Sequence, residues 1–240
     1  AQGARSATIV RSVQGLIALR HAIAEASTRA GKRLEQVSQL VVEIDDFAQI
    51  DYDFLYDRSR NLLTIGYNVE SRRPDNSSYD LLASEARLTS FIGIAQGHLP
   101  QSHWFSLGRL LTTVDGENVL LSWSGSMFEY LMPLLVMPDY DGTLLHETYK
   151  AVVKRQIEYG RERGVPWGVS ESGYNLTDAR LDYQYRAFGV PGLGLKRGLS
   201  KDLVIAPYAC VMAVMVEPDK ACANLQRMAQ LGYVGDFGMY

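Results

Sequence analysis

The sequence is poor in the residues that metal sites and disulfides require. Its two cysteines, Cys210 and Cys222, match no zinc or redox spacing, so a reducing compartment is the default expectation. Its four histidines form no HxxxH or HExxH pair, which gives a metal site little support. We therefore expect no metal and no cofactor.

Charge and hydrophobicity exclude further classes. The net charge is −3, and the lysines and arginines are scattered, so neither nucleic acid nor an anionic membrane surface is an expected partner. No apolar run reaches the roughly 18 residues of a membrane span, and no signal peptide opens the sequence. With 47% hydrophobic residues, the chain can bury the core of one large domain, or of part of one.

Apolar residues at three- and four-residue spacing predict a mainly helical chain. Residues 1–50 are predicted to form an antiparallel helix pair, 9–27 and 34–47, broken at Gly31 and Lys32. The other predicted helices span 79–96, 126–137, 144–163, 206–216 and 218–231. Gly or Pro follows several of them at the expected end.

Two hairpins are predicted between the helices. One lies within 54–67, and the other joins 110–114 to 119–123 through Asp115-Gly116. Residues 71–78 are predicted to be loop, and 170–190 to be mostly irregular and rich in aromatics. Such loops on a helical scaffold are where a functional site is expected.

The segment 167–175 places a carboxylate, Glu171, among aromatic and hydroxyl side chains. Its neighbours include Trp167, Ser170, Tyr174 and Asn175. Rings stack on pyranose faces, amides and hydroxyls bind sugar hydroxyls, and an acid performs proton or nucleophile chemistry. The segment alone is equally compatible with a glutamate that caps a loop or a helix start.

A second candidate acid, Glu85, lies on the predicted helix 79–96. Ser84, Glu85 and Arg87 stand among small and apolar residues, where a surface helix would carry more charges. One interpretation is a buried structural Glu85–Arg87 pair. The other places Glu85 on a pocket floor, with Arg87 or Tyr79 tuning it.

Residues 123–130 end a strand and enter a helix. Ser124 and Gly125 let the backbone approach a ligand, while Trp123 and Tyr130 offer stacking faces. Glu129 is either a third acid or, as we favour, the acidic first-turn residue that the helix dipole prefers.

Two further segments remain open to two interpretations. His103, beside Trp104, is more often a hydrogen-bonded core histidine than a proton shuttle. The segment 183–192, which holds Tyr185 and Arg186, suits a glycan groove or aromatic packing equally well.

Longer strings of the sequence resemble the glycoamylase-like domain of cyclic β-1,2-glucan synthases, over about three quarters of the chain. They are FLYD at 54–57, IGYN at 65–68, YDLLASEARL at 79–88, HWFSLGR at 103–109, LSWSGSMFEYLMP at 121–133, RQIEYG at 155–160, WGVSES at 167–172, YQYRAFGVPGLGLKRG at 183–198 and APYA at 206–209. The resemblance implies a fold related to that of endo-β-1,2-glucanases, an (α/α)6 barrel.

It also implies a place in a larger bacterial membrane protein, at the cytoplasmic face of the inner membrane. There the domain would lie between a membrane-embedded glycosyltransferase region and a phosphorylase-like region. Because a complete barrel needs about twelve helices, we expect a partial (α/α)6 barrel with short β-hairpins and long active-site loops. We expect 1–240 to be one domain truncated at its C-terminal side, with 1–50 as a leading helix pair and 51–240 as the half that holds the site.

The implied activity is cyclisation of linear β-1,2-glucan by intramolecular transglycosylation, with Glu85 and Glu171 as the catalytic acids. Retention requires two carboxyls about 5–5.5 Å apart, or a relay through a substrate hydroxyl. The expected substrate-binding residues are Tyr67, Tyr79, Arg87, His103, Trp104, Trp123, Ser124, Glu129, Tyr130, Trp167, Ser170, Tyr174, Asn175, Tyr185 and Arg186. A hydrolytic β-glucanase, a catalytically silent glycan-binding module and a helical interaction scaffold are the alternatives.

Overall fold

The structure is a computed structural model that describes residues 2–239 and, for side chains, residues 13–239. The chain divides into two compact units, Ala1–Asp51 and Tyr52–Tyr240. The first unit holds one helix, α1 (Gln2–Phe47), of 46 residues. Among the described helices, none is both long enough and apolar enough to cross a bilayer.

The predicted helix pair in residues 1–50 is wrong, because α1 continues through Gly31 and Lys32. Glycine inside a helix costs only about 1 kcal/mol relative to alanine, and good helix formers on both sides offset that cost. A helix-ending glycine usually adopts a positive φ, and Gly31 does not. No proline follows to stop the helix.

The second unit is mainly helical with short antiparallel hairpins. Its helices are α2 (Ser84–Ala95), α3 (Ser102–Ser106), α4 (Met127–Leu131), α5 (Leu144–Arg163), α6 (Pro207–Met212) and α7 (Pro218–Gln230), with 3-10 turns at Met132–Leu135 and Ala213–Met215. Its strands pair as β1 (Tyr56–Asp57) with β2 (Leu62–Leu63), β3 (Tyr67–Asn68) with β4 (Arg73–Pro74), β5 (Leu111–Val114) with β6 (Glu117–Leu120), β7 (Ser172–Thr177) with β8 (Tyr183–Arg186), and β9 (Val234–Gly235) with β10 (Gly238–Met239).

Most predicted elements of this unit are confirmed, with three corrections. Residues 170–190 are not mostly irregular, because β7 and β8 form a hairpin there. Residues 71–78 are not all loop, because Arg73 and Pro74 pair with β3. In addition, α2 begins at Ser84 rather than at 79, since Asp80 accepts hydrogen bonds from the Leu82 and Ala83 amides in a turn before it.

Two buried side chains hold the segment that leads to β7. Gln156 on α5 accepts from the Val169 amide at 2.9 Å and donates to the Val169 carbonyl at 2.8 Å. Asn224 on α7 accepts from the Trp167 amide at 3.2 Å and donates to the Trp167 carbonyl at 2.7 Å. Each amide side chain thus completes the hydrogen bonding of one buried residue's backbone. The segment is fixed from two helices.

The loop 122–126 is fixed on its other side by residues 189–196. The Lys196 amide donates to the Trp123 carbonyl at 2.8 Å, and the Leu195 amide donates to the Ser122 carbonyl at 3.0 Å. A Cβ atom at Gly189 would lie 1.8 Å from the Ser124 carbonyl oxygen, so only glycine permits this approach.

Candidate active site

Two tyrosines hold Glu171, one at its carboxylate and one at its backbone. The Tyr185 hydroxyl donates to Oε2 of the half-buried Glu171 at 2.8 Å. The Tyr208 hydroxyl donates to the Glu171 main-chain carbonyl at 2.6 Å and lies 2.9 Å from Oγ of Ser170. Ser170 is fully buried and accepts from the Phe128 amide at 3.0 Å, which connects this segment to α4.

The β7–β8 hairpin explains the position of Tyr185. Tyr185 pairs with Gly173, so Glu171 is its diagonal neighbour two residues along on the same face. Gly173 has no side chain to separate the two. A phenol at this register position reaches the carboxylate across the strand.

Glu85 lies on the first turn of α2 and is exposed. Its Oε2 accepts from the Ser84 hydroxyl at 2.6 Å. Burial, the hydrogen bond to Glu171 and the charges of Glu171 and Glu85 all raise the pKa of Tyr185 well above its ordinary value. Glu85, 86 positions before Glu171 in sequence, is thus one of the charges that raise the pKa of the phenol bound to Glu171.

Glu129 has a structural set of partners. Ser126 and Glu129 form a capping box at the start of α4, which confirms the favoured first-turn interpretation. Its carboxylate also accepts from the Ser122 hydroxyl at 2.8 Å, the Ser124 amide at 3.1 Å and the Ser124 hydroxyl. These donors occupy much of the carboxylate's hydrogen-bonding capacity.

Arg87 does not pair with Glu85, so the interpretation as a buried Glu85–Arg87 pair is wrong. Arg87 has no exposed surface and donates to the carbonyls of Glu129 at 2.9 Å and Tyr130 at 3.0 Å. Burial lowers the pKa of its guanidinium. Arg87 thus joins α2 to α4 and, through the Tyr149 hydroxyl at 3.4 Å, to α5, rather than facing a sugar.

Three other predicted substrate-binding residues lie in the core. Tyr130 is fully buried and donates to the Leu193 carbonyl at 2.7 Å. His103 is fully buried, with Nε2 2.8 Å from the Ser90 hydroxyl and Nδ1 3.0 Å from the Asn61 carbonyl, so it is the hydrogen-bonded core histidine. Trp167 is also buried. Burial leaves these three without a surface for direct sugar contact.

The other predicted substrate-binding residues lie on the β7–β8 hairpin, at exposed positions or, for Ser124, in the interior. Tyr174 and Arg186 lie on the β7–β8 hairpin and pack on Phe188, where the Arg186 guanidinium lies 4.7 Å from the ring centroid. Trp123 and Asn175 are exposed, whereas Ser124 is buried against Glu129. Tyr67 and Tyr79 are exposed, without a described contact to either acid.

Trp104 lines a separate apolar cavity. This cavity has a volume of about 380 Å³ and is walled by residues of α2, α3 and the start of α5. Neither Glu85 nor Glu171 lines it. The prediction that Trp104 contacts the substrate near these acids therefore gains no support from its position.

The sequence interpretation missed three residues that position Glu171, namely Tyr208, Gln156 and Asn224. Tyr208 lies in the string APYA, where Pro207 starts α6 and places the tyrosine on its first turn. That pattern was the available signal for Tyr208. Gln156 and Asn224 carry no local signal, since each acts on a segment that is distant in sequence.

The described residues contain no cluster of side chains that could bind a metal ion. Across residues 2–239, no three His, Cys, Asp or Glu side chains lie close enough to hold a metal ion. The chemistry available at this location is that of two carboxylates, two phenols and serine hydroxyls.

Comparison with known proteins identifies a similar sequence. Over 191 residues, or 80% of the chain, the sequence is 51% identical to the cyclic β-(1,2)-glucan synthase NdvB of Rhizobium meliloti (strain 1021). The chain spans only 7% of the length of that synthase.

Solved structures of an endo-β-1,2-glucanase from Talaromyces funiculosus are similar in fold. Its complex with sophorose gives a TM-score of 0.61, covering 81% of this chain and 44% of the glucanase chain. The complex of a mutant with β-1,2-glucan gives a TM-score of 0.59, covering 78% and 42%. At 17% identity, these matches show likeness of fold alone.

One family profile, described as "Putative glucoamylase", matches residues 77–240, which hold both acids, both tyrosines and the β7–β8 hairpin. The chain therefore belongs to the Glycoamylase family.

Proposed function

We propose that this chain acts on β-1,2-glucan and cyclises linear chains by intramolecular transglycosylation, with Glu85 and Glu171 as its catalytic pair. The observation that carries the proposal is the Glu171 carboxylate, which is held at 2.8 Å by the Tyr185 hydroxyl at the start of the β7–β8 hairpin. The sequence identity to a cyclic β-(1,2)-glucan synthase supports the choice of substrate. The exposed Trp123 and Tyr185 supply faces on which sugar rings can stack.

The two carboxylates divide the reaction between them. One stabilises or attacks the anomeric carbon while the other gives its proton to the departing glycosidic oxygen. The glycosyl group then passes to a hydroxyl at the non-reducing end of the same chain, and that hydroxyl's proton returns to the acid. One glycosidic bond breaks, one forms, and no water is consumed.

We further infer that the helices of this chain form part of an (α/α)6 barrel. The TM-scores of 0.59 and 0.61 to the glucanase support this architecture. A place between glycosyltransferase and phosphorylase-like regions of a larger membrane protein accords with the small share of the synthase that the chain spans.

Hydrolysis is the alternative reaction, favoured by the likeness of fold to an endo-β-1,2-glucanase. The two activities differ in the acceptor, which is water in hydrolysis and a sugar hydroxyl in cyclisation. Because water competes with the acceptor hydroxyl, cyclisation requires that the bound glucan excludes water from the acids.

Mass spectrometry of linear β-1,2-gluco-oligosaccharides incubated with the full-length protein tests the proposal. Cyclisation yields products one water lighter than a linear chain of equal length. Glu85→Gln and Glu171→Gln should each abolish these products, whereas Glu147→Gln, an exposed acid on the first turn of α5, should retain them.

Three results would contradict the proposal. Shorter products of ordinary linear mass would identify a hydrolase. Binding of the oligosaccharide without any turnover would identify a silent glycan-binding module. Full activity in both glutamine variants would remove the acids from the mechanism.

A further inference from the structure

We propose that Tyr185 is a positioning residue that holds the Glu171 carboxylate in the orientation its part in the reaction requires. This inference rests on the proposed function of the two acids. It assigns to the Tyr185 hydroxyl a role in addition to the stacking of its ring on the sugar.

The geometry of the hydrogen bond gives the first step. The Tyr185 hydroxyl lies 2.8 Å from Oε2 of Glu171 and is the donor. The bond restricts rotation of the carboxylate, since the β7–β8 pairing fixes the strand that carries the phenol.

The second step concerns the charges around Glu171. Tyr208, from α6, bonds to its backbone carbonyl and so leaves the carboxylate to Tyr185. Glu85, from α2, contributes a like charge that reaches the same phenol. Within residues 13–239, no Lys, Arg or His nitrogen lies within 4.0 Å of either carboxylate.

Exposure makes this role testable without damage to the fold. The Tyr185 side chain is 64% exposed, so removal of its hydroxyl leaves the core unchanged. Tyr183 is a matched control, because it lies on the same strand and face, is 76% exposed and donates no hydrogen bond in the described structure.

The experiment compares Tyr185→Phe, Tyr183→Phe and Glu171→Gln in the full-length protein, with linear β-1,2-gluco-oligosaccharides as substrate. Tyr185→Phe should lower kcat by about 10- to 100-fold, the usual effect of losing a hydrogen bond to a charged group. KM should stay within about twofold, because the aromatic ring is retained. Tyr183→Phe should change neither quantity.

Tyrosinate absorbance provides a readout that is independent of activity. Glu171→Gln should let one phenol ionise at lower pH, because the carboxylate no longer accepts its proton. This change should vanish when Glu171→Gln is combined with Tyr185→Phe.

The outcomes separate the inference from the proposed function. If Glu171→Gln is inactive but Tyr185→Phe behaves like Tyr183→Phe, the positioning role is overturned alone. A rise in KM with an unchanged kcat would make Tyr185 a sugar contact alone and would equally overturn it. Full activity in Glu171→Gln would overturn both proposals.

Discussion

Replacement of Asn224 by alanine should destabilise the second unit and release the segment that leads to Glu171. The Asn224 side chain is 4% exposed and bonds to both the amide and the carbonyl of Trp167. Its loss leaves two buried backbone groups without partners, at about 1–3 kcal/mol each. Because the backbone can relax, we expect about 3 kcal/mol in the free energy of unfolding.

For a unit of this size, each kcal/mol corresponds to about 2–4 °C in Tm. The expected loss is therefore about 6–12 °C. Thermal unfolding followed by near-ultraviolet circular dichroism measures it, since Trp167 is part of the reporting core.

The matched control is Gln226→Ala, on the exposed face of the same helix, which should shift Tm by less than about 2 °C. If Asn224→Ala melts as Gln226→Ala does, then the two hydrogen bonds to Trp167 contribute nothing to stability. That result would refute the reasoning by which α7 positions the site.

Two further predictions concern packing and pH. Gly189→Ala should destabilise the protein by about 3 kcal/mol or more, because its Cβ would lie 1.8 Å from a backbone oxygen. Gly66→Ala, whose Cβ would meet no atom within 4 Å, should be nearly neutral. Denaturant titration measures both, and equal midpoints for the two variants would contradict the prediction. Burial raises the pKa of Tyr130 and Tyr149 above 10.0, so their contribution to stability is complete below that pH and is lost as pH rises further. Denaturant unfolding at about pH 9 and about pH 11 should give a lower free energy at the higher pH, and equal values would contradict this linkage.

Helix ends could be predicted accurately where a capping residue or a terminal glycine marks them in the local sequence. The predicted bounds 144–163 match α5 because Thr143 caps its start and Gly164 ends it with a φ of 71°. The break predicted at Gly31 failed because a lone glycine lowers helix stability without ending the helix.

The β7–β8 hairpin shows why the site was only partly predictable. Tyr183 and Tyr185 alternate with polar residues, but the aromatic content of the segment suggested an irregular loop. Glu171 could be recognised from its neighbours, whereas the partners that hold it could not. Asn224 lies 57 positions from Trp167, and no pattern within a local window encodes such a contact.

The two hydrogen bonds from Asn224 to Trp167 can form only after Asn224 has been synthesised. Chains emerge from the ribosome N-terminus first, at about 5–20 residues per second. Trp167 therefore precedes its partner Asn224 by 57 positions, or about 3–11 s of translation. Until Asn224 has been translated, the Trp167 backbone lacks the two hydrogen bonds that Asn224 provides, so a nascent chain can hold both acids before the segment that leads to Glu171 is fixed.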